Sequence, residues 1–110
     1  MSITHVVLFS FKPSASAQDI DKVCSGLLAL KDKCLHATTQ EPYIKSMTGG
    51  TNNSPEGLND GLTHAFVMEF GSARDRDYYI DQDPAHRAFV AGALPVIDKI
   101  RVVDYQAGVF

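Results

Sequence analysis

The 110-residue chain has no tryptophan, only two cysteines and no excess of basic residues. Each shortage excludes something. Ten Lys and Arg against thirteen Asp and Glu leave a net charge of −3, so the basic footprint by which a nucleic-acid binder meets phosphates is missing. The same balance argues against anchoring on an anionic membrane surface. No apolar run approaches the roughly 18 residues of a spanning helix. The opening Met1-Ser2-Ile3-Thr4-His5 also lacks the basic and apolar regions of a secretory signal. The expected location is therefore the cytoplasm. Cys24 and Cys34 fall on one expected helix and point in different directions, so they are read as reduced packing thiols that do not bridge each other. Asn52-Asn53-Ser54 matches a glycosylation acceptor, which means nothing without a secretory route.

What is present is an ordinary core composition, 45% hydrophobic and 21% charged. That predicts one domain over residues 1–110, too apolar to be disordered. A chain of this size buries only about two thirds of its unfolded surface, which leaves room for a partner to complete it. No repeat, low-complexity tract or linker divides it.

The first predicted element is a strand from Ile3 to Phe11, with Ile3, His5, Val7, Phe9 and Phe11 on one face and Thr4, Val6, Leu8 and Ser10 on the other. Ser16-Ala17-Gln18-Asp19 reads as a capping box. Ile20, Val23, Cys24, Leu27 and Leu30 then recur at three and four, predicting an amphipathic helix from about 17 to 35. Tyr43 to Thr48 predicts a second strand, and Gly49 to Gly61 a long polar surface loop. Leu62 to Phe70 alternates again as a third strand. Ser72-Ala73-Arg74-Asp75 opens a short helix through about Asp81, and Asp83-Pro84 caps a second one running to about Ala93, where Leu94-Pro95 breaks it. Ile100 to Tyr105 is the last strand, extending towards Phe110.

The order β-α-β-β-α-β, with its second helix broken in two, predicts a ferredoxin-like α+β fold: a four-stranded antiparallel sheet with helices on one face. The other face would carry Val6, Leu8, Val67, Val103 and Tyr105. Covering that apolar surface with a second copy predicts a homodimer through the open sheet face.

Candidate sites are few. The glycines of the loop lack the lysine and following helix of a phosphate-binding loop. The histidines at 5, 36, 64 and 86 include no i, i+4 pair and have no cysteine companion, so no metal site is expected. His36 lies in a polar stretch and reads as solvated. His5 and His64 sit on apolar strand faces, where a histidine is first of all a core side chain with a partner. His86 is the third residue of its helix, where the positive end of the dipole favours a neutral imidazole while Asp83 favours the charged one. Tyr78 and Tyr79 diverge by about 100° on a helix, so only one faces the core easily. A reversal at Asp83-Pro84 would bring Tyr79 and His86 to one cavity.

Three segments together resemble one family. They are Thr4-His5-Val6-Val7-Leu8-Phe9-Ser10-Phe11-Lys12, Thr63-His64-Ala65-Phe66-Val67-Met68-Glu69-Phe70, and Asp77-Tyr78-Tyr79 through Asp83-Pro84-Ala85-His86 with Val102-Val103-Asp104-Tyr105 after it. This pattern is similar to the stress-responsive A/B barrel (Dabb) family of dimeric α+β barrels. The long glycine-containing loop and the Gly108-Val109-Phe110 ending resemble its fungal members.

The resemblance implies a cofactor-free polyketide cyclase or lyase chemistry, as in a plant member of the family. On that basis His86 is the base and Tyr79 the donor to a developing oxyanion. His5, Val7, Phe9, His64, Phe66, Ile100 and Val102 line the substrate pocket. The ligand would be a hydrophobic, polyketide-like carbonyl compound, with no cofactor, nucleic acid or membrane involved. The sequence departs from the family's His-Pro-x-His, having Asp83 at its first position, and places one extra residue between Tyr79 and Pro84. Two other functions fit the resemblance: a non-catalytic stress-responsive barrel, whose interior would be filled, and a cofactor-free or haem-binding monooxygenase.

Overall fold

The computed structural model describes all residues, 1–110. The chain runs β1 (Ile3–Phe11), α1 (Ala17–Lys33), β2 (Ile44–Thr51), β3 (His64–Phe70), α2 (Ala73–Asp81), α3 (Pro84–Ala93), a short 3-10 turn (Leu94–Val96) and β4 (Ile97–Tyr105). The sheet order is β2-β3-β1-β4, and every adjacent pair is antiparallel. This is the ferredoxin-like arrangement, with the helices packed on one face.

Local chemistry accounts for the helix boundaries. Ser16 caps α1, accepting from Asp19 N while the Asp19 carboxylate accepts from Ser16 N. Val23, Leu27 and Leu30 form its buried stripe, each contributing roughly 1.5–3 kcal/mol through removal from water. The helix ends at Lys33, and Cys34 already has extended backbone. Ser72 caps α2 by accepting from Asp75 N, without the reciprocal bond of a full box. Gln82 and Asp83 then both donate their N–H groups to the Tyr78 carbonyl, at 2.9 Å each. The chain thereby turns, and Asp83 starts α3 with Pro84 in its first turn.

Three strands differ from the sequence expectation. β3 starts at His64 rather than Leu62, because the Leu62 N–H is tied back into the preceding turn by its bond to the Asn59 carbonyl. β2 continues through Gly49, Gly50 and Thr51, residues that composition assigned to the loop. The reason lies across the ladder: a Cβ on Gly49 would stand 2.1 Å from Phe66 Cδ2. Glycine is there because the opposing ring occupies its side-chain space. β4 starts at Ile97 rather than Ile100, because the 3-10 turn ends the helical run within three residues. It stops at Tyr105, so the ending does not extend the strand.

The core lies between sheet and helices, around Phe9, Phe66, Met68, Phe70, Leu27, Leu30 and Tyr79. On the opposite face Val67, Val6 and Val103 stand in register across β3, β1 and β4. Val67 is 40% and Val103 60% exposed, which leaves an apolar stripe uncovered by any helix.

Candidate active site

A cavity of about 410 Å³ opens between β1, β4 and the three helices. β1 gives it His5, Val7 and Phe9, and β4 gives Ile97, Ile100 and Val102. The helices add Val23, Leu27, Tyr79, Phe89 and, from the first turn of α3, His86. Its polar groups are two imidazoles and one phenol; the rest of the wall is hydrocarbon. Ile100 and Val102, on the edge strand, are about half exposed and mark the mouth.

Tyr79 and His86 meet here. Their rings stack with centroids 3.9 Å apart, and the His86 Nδ1 lies 2.8 Å from the Tyr79 carbonyl oxygen. A carbonyl only accepts, so Nδ1 carries the proton and Nε2 is the nitrogen left with a free lone pair. Burial pushes the His86 pKa below its usual value. The Tyr79 carbonyl and the nearby Asp83 charge oppose that shift, and His5 adds to it. Tyr79 is 2% exposed, and burial, aided by Cys34 and Asp83, holds its phenol well above the usual tyrosine range. The phenol therefore stays a hydrogen-bond donor. The turn at Gln82 and Asp83 brings α3 back so that Tyr79 reaches the imidazole.

His5 approaches from the sheet. It is buried, packs edge-to-face on Tyr79 with centroids 5.9 Å apart, and donates from Nδ1 to Asp104 Oδ1 at 2.6 Å. Arg76 Nη1 donates to the other oxygen of Asp104 at 2.8 Å. Sequence reasoning missed Asp104 and Arg76. The signal for Asp104 was available: antiparallel pairing that opposes Val7 to Val102 also opposes His5 to Asp104. Arg76 left no such trace, since it reaches Asp104 from α2.

Of the residues expected to line the pocket, His5, Val7, Phe9, Ile100 and Val102 do so, whereas His64 and Phe66 do not. Register explains the difference. His64 opposes Phe9 at the far end of β3, where its ring is sandwiched against Phe9 and Phe11. Phe66 is pressed into the core against Gly49 and Phe9. The loop between β2 and β3 contributes no cavity residue either. No group of three His, Cys, Asp or Glu side chains is placed to hold a metal ion.

The sequence model of the Stress Responsive A/B Barrel Domain (Dabb) matches residues 3–107. The chain belongs to that family. The Dabb relative HS1 of Arabidopsis thaliana, a stress-response A/B barrel domain-containing protein, is 34% identical over 94% of this chain and 88% of its own length. A hydroxynitrile lyase from Passiflora edulis superposes with a TM-score of 0.84 at 26% identity, over 99% of this chain and 96% of the lyase. A dimeric ferredoxin-like protein from Thermobifida fusca shares the fold with a TM-score of 0.71 at 24% identity, over 96% and 90% of the two chains. Similar proteins thus include one named for a stress response and one named for an enzymatic activity.

Proposed function

We propose that this Dabb protein is a cofactor-independent acid–base enzyme acting on a neutral, hydrophobic carbonyl compound of polyketide-like character, with cyclase or lyase chemistry. One observation carries the reading: the bond from His86 Nδ1 to the Tyr79 carbonyl, which commits one nitrogen and leaves the other as a base inside an apolar cavity.

In this mechanism His86 Nε2 takes a proton from the carbon next to the substrate carbonyl. The electron pair moves onto the oxygen, and the Tyr79 hydroxyl donates a hydrogen bond to the enolate so formed. His5, aimed by Asp104, orients a polar group of the substrate. The hydrocarbon wall folds the remainder so that reacting atoms stay close. His86 then returns the proton to the product. The likeness to a hydroxynitrile lyase supports a carbonyl-forming lyase within the same class. A cavity of about 410 Å³ falls in the roughly 300–1,000 Å³ range of ligand pockets and weighs against a filled, purely structural barrel.

A homodimer belongs to this reading. The uncovered Val67–Val6–Val103 stripe is self-complementary under a two-fold axis, and proteins of this fold include dimers.

Exchange of α-protons of a neutral aryl methyl ketone in D2O, followed by proton NMR, tests the chemistry. The native protein should accelerate exchange, His86→Ala should lose about 100-fold or more, and Tyr79→Phe should lose at least about tenfold. Unchanged exchange in His86→Ala, or no acceleration by the native protein, overturns the assignment. A parallel assay of cyanide release from mandelonitrile reads out the lyase branch.

A further inference from the structure

Behind the stacked Tyr79 and His86 rings lies a polar cluster that the proton transfer above does not use. Asp83 is 1% exposed. One of its oxygens accepts from Ala85 N at 2.9 Å and His86 N at 3.2 Å. The other accepts from the Tyr43 hydroxyl at 2.5 Å, a side chain from just before β2. The Cys34 thiol lies against the same carboxylate, which with burial pushes that thiol up to about 12. A helix start needs only a short polar cap, and a neutral Asn or Ser serves as well as Asp. Enclosing a carboxylate is costly, so capping alone does not explain this residue.

We propose that Asp83 is a positioning residue for His86: its carboxylate, held by the Tyr43 hydroxyl, accepts from the Ala85 and His86 N–H groups and so fixes the first turn of α3 from which the imidazole enters the cavity. The catalytic meaning of this rests on the function proposed above. The groups facing His86 can be enumerated. β1 presents His5, α2 presents the Tyr79 ring and carbonyl, and the segment after α1 presents Cys34 close to the His86 N–H. α1 itself offers the cavity only Val23 and Leu27. Burial lowers the His86 pKa most, His5 lowers it too, and only the Tyr79 carbonyl and Asp83 pull it back. Of those two, Asp83 alone carries a full charge, so it is the group a substitution can switch off without rebuilding the backbone.

The test is an NMR titration of 13C-labelled histidines in the full chain, comparing native protein with Asp83→Asn, Asp83→Ser and Tyr43→Phe. Both neutral caps should fold, and both should lower the His86 midpoint by about one pH unit while His36 and His64 stay in place. Tyr43→Phe keeps the charge and should not lower the midpoint. An unchanged His86 midpoint in either neutral variant overturns the proposal. So does an equal fall in Tyr43→Phe, which would assign the effect to packing. If neither neutral variant folds, Asp83 is a structural residue and the proposal falls. The titration is read on the free protein, so a failure of ketone exchange would remove the enzyme reading without deciding this one.

Discussion

Two histidines reach one cavity and each spends its Nδ1 proton differently, His86 on a backbone carbonyl and His5 on a carboxylate. Burial holds the His86 and His64 pKa values below 6.5. The unfolded chain therefore binds protons more readily than the native one in the window below pH 6.5. The stabilisation is complete above that pH and is lost as pH falls through the window towards the lowered native values. Urea midpoints should accordingly decrease between pH 7.5 and 5.5, and the decrease should be smaller in His86→Gln; an equal decrease in that variant would contradict the assignment. At this scale the sequence disclosed less than it contained. Tyr79, His86 and His5 were legible because local patterns mark them. His64 and Phe66 were misplaced, because a shared strand face does not say how far along the strand the cavity extends. Tyr43 and Cys34 were invisible as partners of Asp83, since nothing local ties them to α3.

Elements were more legible where a cap or a break is written into consecutive residues. Ser16 with Asp19, and Asp83 with Pro84, start their helices as read. β2 was cut short for a physical reason: Gly49-Gly50 has the composition of a loop, and only the Phe66 ring on the neighbouring strand makes glycine a strand residue there. That contact gives a prediction. Gly49→Ala should destabilise the fold by about 1–3 kcal/mol through overpacking, because the clashing atoms belong to a ring that is itself 2% exposed and has nowhere to retreat. Gly50→Ala meets no atom within 4 Å and should cost less. Chemical denaturation of the two variants checks the order.

For the whole molecule, the sheet's two faces have different fates. The helix face was predicted from alternation and holds the core and the cavity. The other face displays valines at positions 67, 6 and 103 in one row across three strands. A stable dimer buries about 800 Å² on each partner, and this valine row is exposed apolar surface on that face. Val103→Asp, at a site 60% exposed in one copy, should leave the monomer folded and shift sedimentation from dimer to monomer. A native protein that sediments as a monomer at micromolar concentration would refute the pairing.

The row Arg76, Asp104, His5 joins α2, the outermost strand β4 and the central strand β1 through two short hydrogen bonds. β4 is held on one side only. If that margin of the sheet frays, the imidazole beside it is unhooked in the same event, so the wall of the chamber and the aim of one of its working groups give way together.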